Sequence, residues 1–391
     1  MRKIFFLILF SWIWTGVIAQ NSSDFKSADN IMLQIPESST TSTQGIAGYI
    51  NSNYFSANDK ARAIFIWIAK NVQYDVANMY VVNTNLKTTE RIEKTLKTRK
   101  GVCSDYADLF NDIAGKTGIK SYVIPGYTKQ KGVVDNIPHA WCATFIDSTW
   151  YLFDPTWGSG YLQNSKFVKQ VNDFYFKTKP EQIIKTHIPF DPLWQFLDYP
   201  ITNQEFYEGK IQVATKKQLF SFKDTLTIYE KQSEMERLVS SSKRIEANGV
   251  KNSLIFNMLQ YNKREIEVYN NNRIVDQYNS AGISFNIGVN LLNDFINYRN
   301  KQFTPKKTDS AITQMIDTVE SSLRISRVQL NNIKNPDANT SAMIAQLNKS
   351  IGDATTNLNE QKAFVEKYLQ TGKMFRKSLF YKFSWMGIPV H

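Results

Sequence analysis

Apolar residues recur at helical spacing from about Asn58 to Val72, where Ala61, Ile64, Phe65, Ile68 and Val72 form a stripe with charges between them. Trp67 lies off that stripe, so this helix is expected to be buried on more than one side. A second short helix carries Ile92 and Leu96 and runs into Arg99-Lys100-Gly101. From Gly101 to Gly118 the pattern reads as a turn, then a helix, then a glycine stop suited to left-handed backbone. Ala107, Phe110, Ile113 and Ala114 make the packing face of that helix. The period then shortens to that of strands over Lys120 to Ile124, Ala140 to Ile146 and Thr149 to Phe153. Asp147-Ser148 joins the last two as a tight hairpin. Helices followed by antiparallel strands make residues 56–208 an α+β domain.

After Gly209 the character changes, and Asn, Gln, Ser and Lys become more frequent. Ile312, Ile316, Val319, Leu323, Leu330 and Ile333 recur in helical steps, as do Ile344, Leu347, Ile351, Ala354, Leu358, Val365 and Tyr368. Asn335-Pro336-Asp337 between them breaks one helix and starts the next. Residues 209–391 therefore read as an all-α helical bundle, an antiparallel hairpin preceded by helices around 225–247 and 251–275. Residues 20–55, rich in Ser, Thr, Asn and Gln, read as a loose arm with one short element around Ile31 to Ile35.

Residues 1–19 form a secretory signal by pattern. Arg2 and Lys3 precede a short apolar stretch, and Val17-Ile18-Ala19 offers small residues for cleavage. The stretch is short for a membrane span of about 20 residues, so export without a stable anchor is expected, to the periplasm or beyond the cell. With 42% hydrophobic and 21% charged residues, global disorder is excluded. The formal charge of +12 permits an anionic partner without naming one. Nucleic-acid motifs are absent, so nucleic acid is not an expected partner. Three histidines and two cysteines are too few for a Cys/His zinc site, and neither a metal nor a cofactor is expected.

The chemistry converges on three residues. Cys103 opens a helix, where unpaired backbone N–H groups and the helix dipole favour a thiolate; Arg99 and Lys100 add positive charge nearby. Alone, such a cysteine reads more readily as a small core residue, which its place at a helix start does not overturn. A nucleophile also needs a base, and His139 at the start of a strand is the best placed. His391 ends the chain, and His187, in Thr186-His187-Ile188-Pro189-Phe190, reads as a packing residue. Pairing about Asp147-Ser148 sets positions summing to 295 opposite one another, so Asp154 falls diagonally across from His139. An Asp there can orient the imidazole and stabilise its charged form; standing alone, it is equally a turn residue before Pro155.

The order Cys, His, Asp on helix start, strand and strand is papain-like. Gly101-Val102-Cys103-Ser104-Asp105-Tyr106-Ala107, Pro138-His139-Ala140-Trp141, and Trp150 through Gly158 together resemble the transglutaminase-like superfamily, closest to its kyphoscoliosis-peptidase and cytokinesis-protein-3 type. Trp67 through Asp75 is also similar to that family's upstream helix. The resemblance covers residues 57–200 and does not extend to the helical half. It implies a catalytic triad of Cys103, His139 and Asp154 that forms a thioester from an amide and passes the acyl group to water or an amine. The oxyanion would meet the Cys103 N–H and a second donor, with Gln73, Tyr74 and a nearby Trp as candidates. Where the family commonly has Asn after His-Ala-Trp, this chain has Cys142. Strand alternation points Cys142 away from the face of His139 and Trp141, which argues against an inhibitory disulfide to Cys103.

The expected function is an exported cysteine acyl hydrolase, most simply a peptidase or amidase acting on a peptide or protein. A cross-linking acyltransferase and a silent scaffold are the alternatives. The lack of a calcium-type carboxylate cluster in the sequence favours hydrolysis. The helical half is a candidate docking surface for a protein or an anionic cell-wall polymer.

Overall fold

The computed structural model describes residues 25–80, 86–212, 217–383 and 389–390. The secretory signal expected at 1–19 and His391 lie outside the described residues. The chain forms two compact units, the first ending at Asn262 and the second beginning at Lys263. The change of composition after Gly209 therefore falls inside the first unit.

The stretch read as a loose arm is part of the core. It folds into α1 (Lys26–Met32) and α2 (Thr43–Asn53). Met32, Ile46, Ala47 and Ile50 are buried in one cluster with α3 (Ala57–Asn71). Polar residues dominate this segment because they form its caps and wet faces: Ser42, for example, accepts the Gly45 N–H at the start of α2. In α3 every residue from Ala61 to Ala69 is buried, Trp67 included. One of them is Arg62, whose guanidinium donates to both Asp29 carboxylate oxygens and to Asp173.

β1 (Gln73–Tyr74) follows, then α4 (Thr88–Thr98) and β2 (Lys100–Gly101). β1 and β2 run parallel, which sets Tyr74 beside Gly101. Next, α5 (Cys103–Lys116) starts two residues later, where the Asp105 carboxylate reaches back to accept the Val102 N–H at 2.9 Å. Gly118, at φ 81°, supplies the left-handed stop.

The central sheet contains β3 (Ser121–Gln130), β4 (Val133–Ile146) and β5 (Thr149–Phe153). The hairpin β6 (Gly160–Gln163) and β7 (Lys166–Lys169) stands apart from it. After α6 (Pro180–Ile183), β8 (His187–Pro189) closes the sheet in the order β5-β4-β3-β8, antiparallel throughout. The β4–β5 register runs from Ile146 opposite Thr149 to Cys142 opposite Phe153, the pairing expected from the turn. Asp147 and Ser148 both take positive φ, 49° and 62°, the mirror-image turn that matches strand twist.

Ala140, Cys142, Ile146 and Phe153 pack toward α3 and α5. Trp141, Ala143 and Leu152 pack the other way, among Leu193, Trp194 and Phe196. Beyond α7 (Asn203–Glu208), α8 (Phe222–Lys231) adds Leu226 to that second layer. α9 (Glu234–Ala247) and the first turns of α10 (Ser253–Asn300) bury Ile245, Ile255 and Leu259 against Tyr127 and Ile188.

Gly126 is the tightest point of the sheet. It pairs with His139 on one side and Pro189 on the other. A Cβ there would lie 2.3 Å from the Ile188 carbonyl oxygen and 2.4 Å from the Trp141 ring. Gly126→Ala is expected to push β8 and Trp141 apart at a cost of about 1–3 kcal/mol. Thermal unfolding would register the loss; an unchanged midpoint would contradict this reading of the sheet.

The second unit holds the expected helical hairpin, α11 (Asp309–Asn331) and α12 (Ala338–Gln370), with Asp337 capping the second helix. Ile312, Ile316, Val319 and Leu323 meet Leu358 and Val365 in its core. Among the described residues no helix is long and apolar enough to cross a membrane.

Candidate active site

Cys103 is the first residue of α5, so its N–H belongs to the group that has no partner within the helix. Its thiol is partly exposed, 3.9 Å from the Pro138 carbonyl oxygen, and near enough to the His139 ring to favour its charged form. Arg99 does not supply the nearby charge expected of it. Its left-handed backbone turns the guanidinium toward Thr40, at 2.6 Å from Oγ1, and over the Trp67 ring.

His139 and Asp154 meet as the strand register requires. The β4–β5 ladder ends at Cys142 and Phe153, and beyond it His139 Nε2 sits 2.8 Å from Asp154 Oδ2. With Nε2 engaged, Nδ1 is the nitrogen left for the sulfur. The other carboxylate oxygen, Oδ1, accepts the N–H groups of Thr156 and Trp157 at 2.8 and 3.1 Å.

His187 is the residue the sequence reading missed. It lies on β8, across β3 from β4, and its Nε2 is 3.0 Å from the same Asp154 Oδ2. His139, Asp154 and His187 are all buried, and their rings pack with Trp141, Trp157 and Tyr175.

The charges follow from this geometry. Burial opposes a charged His139, but the Asp154 carboxylate and Cys103 outweigh it and push the imidazole up to about 10. Burial likewise opposes the Asp154 charge, yet hydrogen bonds and positive charge hold it well below the usual carboxylate range. Burial lowers His187, although its bond to Asp154 works the other way. Burial also raises Tyr74, next to Cys103, so its phenol keeps its proton.

These shifts set the pH dependence of stability. The raised His139 contributes fully below its unfolded value of about 6.5, and that contribution is lost as pH rises through about 10. The depressed Asp154 contributes above its unfolded value of about 3.9 and loses that contribution as pH falls toward its folded value. Stability should therefore fall between pH 7 and 10 with a slope of at most about 1.4 kcal/mol per pH unit from His139. Denaturant unfolding of His139→Gln should show a flatter alkaline slope. An identical slope in the variant would contradict the assignment.

Tyr74, Cys103, His139 and Trp157 open onto a cavity of about 860 Å³. Of the donors considered for the oxyanion, Tyr74 and Trp157 line this cavity, whereas Gln73 is exposed on β1. Its lining also includes the apolar Met79, Tyr161, Leu162 and Phe167 and the charged Lys129, Lys131 and Asp135. Both cysteines are free, and the buried Cys142 thiol donates to the Ala107 carbonyl at 3.3 Å. Among the described residues, the ligand atoms of His139, Asp154 and His187 lie within 4.8 Å of one another, close enough to hold a metal ion. Both imidazoles are already hydrogen-bonded to Asp154 through Nε2, so a cation would replace those protons and disable His139 as a base.

Residues 43–155 match the model of the Transglutaminase-like superfamily. The chain is 32% identical over 187 residues to kyphoscoliosis peptidase of Homo sapiens, covering 44% of this chain and 28% of that protein. It is 28% identical over 155 residues to cytokinesis protein 3 of Schizosaccharomyces pombe, covering 38% and 17%. A solved structure of a TGase is similar at 20% identity and a TM-score of 0.24, covering 42% of this chain and 40% of that one.

Proposed function

We propose that the transglutaminase-like domain of this chain is a cysteine acyl hydrolase, a peptidase or amidase working through a Cys103 thioester. The observation that carries this reading is that Cys103 and His139 open onto one cavity of about 860 Å³, with the buried Asp154 hydrogen-bonded to His139 behind them. The family model and a relative named as a peptidase support it. The pattern of residues 1–19 supports an exported site of action.

In the proposed cycle the thiol proton lies on His139 Nδ1, as the raised imidazole favours, when the sulfur attacks a substrate carbonyl carbon. The oxyanion is met by the Cys103 N–H and the Tyr74 O–H. His139 then gives its proton to the departing amine as the C–N bond breaks, leaving an acyl thioester. Water attacks the thioester with His139 as base; the acid departs and the thiol is restored. Asp154 holds the imidazole and offsets its positive charge throughout. The exposed Tyr161 and Leu162 of β6 favour an apolar side chain next to the scissile bond.

The test is incubation with a library of peptides and peptide amides, with and without dansylcadaverine, read by mass spectrometry. Hydrolysed products that vanish in Cys103→Ala are the expected result. Dansylated products alone would replace hydrolysis by acyl transfer, and no product from any library would overturn the enzymatic reading.

A further inference from the structure

A carboxylate has only acceptor sites, and those of Asp154 are fully subscribed. Oδ1 takes two backbone N–H groups, and Oδ2 faces two imidazole Nε2 atoms at 2.8 and 3.0 Å. Both Nε2 atoms must therefore carry hydrogen. That fixes His139 with Nδ1 directed at the cysteine. It also leaves the second nitrogen of His187 facing Thr186 Oγ1 at 2.8 Å, a hydroxyl whose single proton can go to that nitrogen or to the Ile183 carbonyl oxygen at 3.3 Å.

The charge count decides the state of the second ring. One buried carboxylate can offset one imidazolium, and His139 is the ring whose charge Cys103 also favours. The charged and titratable groups around His187 are Asp154, His139 and Asp135, with Tyr175 against the ring. Its remaining surroundings are the rings of Trp141 and Trp157, at 5.2 and 4.6 Å. A second positive charge there would have only Asp135 besides, a carboxylate already held by Thr128 and Gln130.

We propose that His187 is a positioning residue: as an uncharged Nε2–H donor it shares Asp154 Oδ2 with His139, and so fixes the carboxylate and the Nδ1-to-Cys103 orientation of the catalytic ring. This rests on the nucleophile reading of Cys103 given above. The shared oxygen has a second consequence. Two donors divide its acceptor strength, so the His139 imidazolium is held less tightly and releases its proton more readily to a leaving group. The position of β8, closed onto β3 at Gly126, is what brings His187 into reach.

The wild-type chain labelled with 15N-histidine tests the state directly, since it contains only three histidines. Between pH 5 and 9, His187 should show one protonated Nε2 and one unprotonated Nδ1. An imidazolium, or a proton on Nδ1 in place of Nε2, would overturn the proposal. His187→Phe removes the donor while keeping an aromatic ring, and His187→Gln restores a donor at similar reach. In the Phe variant, alkylation of Cys103 by iodoacetamide at pH 6.5 should fall about tenfold and the His139 titration should move to higher pH; Gln should largely reverse both. A folded Phe variant matching wild type in both readouts would also overturn it. If that variant does not fold, the wild-type spectrum decides alone. Wild-type Cys103 reacting no faster than in His139→Ala would instead sink the nucleophile reading, whatever the His187 spectrum shows.

Discussion

Asp154→Asn is expected to abolish most of the reactivity of Cys103 while leaving the cysteine in place. The Asn oxygen can still accept the N–H groups of Thr156 and Trp157, which directs its amide nitrogen at His139 and His187. Donor then faces donor at two imidazoles. The simplest relief for His139 is to carry its proton on Nδ1, the nitrogen that must serve as base. A tautomer error of this kind costs about 10⁴-fold in a comparable triad, and a loss of 10³-fold or more is expected here on the same grounds. Stability should fall by about 3 kcal/mol, because buried polar groups lose their partner. Alkylation kinetics and denaturant unfolding would measure the two effects. Reactivity within a factor of about ten of wild type would show that Asp154 does not set the His139 tautomer.

The second large effect concerns Arg62, far from the chemistry in sequence. Its buried guanidinium joins α1, through Asp29, to the segment after β7, through Asp173. It also lies over Phe25 and Phe176 at 4.5 and 5.0 Å. Arg62→Met keeps much of the volume but leaves two carboxylates facing each other without a cation. Removing one partner of a buried ion pair costs about 3–5 kcal/mol, and the partial exposure of both acids places the expected loss near the lower end. Double replacement with Asp29→Asn should recover part of it. A Met variant as stable as wild type would mean that α1 is held by its apolar contacts alone.

The site was legible where chemistry followed local pattern. A tight turn at Asp147-Ser148 sets the strand register, and the register sets His139 near Asp154. Alternation likewise put Cys142 in the core beside Ala107. His187 escaped because its strand is only three residues long and includes a proline, so no run of alternating residues marks it. Its pairing depends on Gly126, some sixty positions earlier, and nothing local encodes that contact. Segment 20–55 was misread for a related reason. Met32, Ile46, Ala47 and Ile50 are buried, but in the sequence they are diluted by polar caps and solvent faces. The helices expected around 225–247 read as part of the helical half, yet Leu226 of α8 and Ile245 of α9 pack with residues of the sheet, a long-range contact that no local pattern encodes.

The central claim is that Cys103 is a nucleophile activated by His139. Its most direct test is the rate of iodoacetamide labelling at each cysteine from pH 5 to 9, mapped by mass spectrometry in wild type and His139→Ala. Fast labelling of Cys103 is expected, persisting below pH 7 and lost in the variant, with buried Cys142 unreactive in the folded protein. Slow labelling of Cys103 that rises only at alkaline pH and is unchanged in His139→Ala would contradict it.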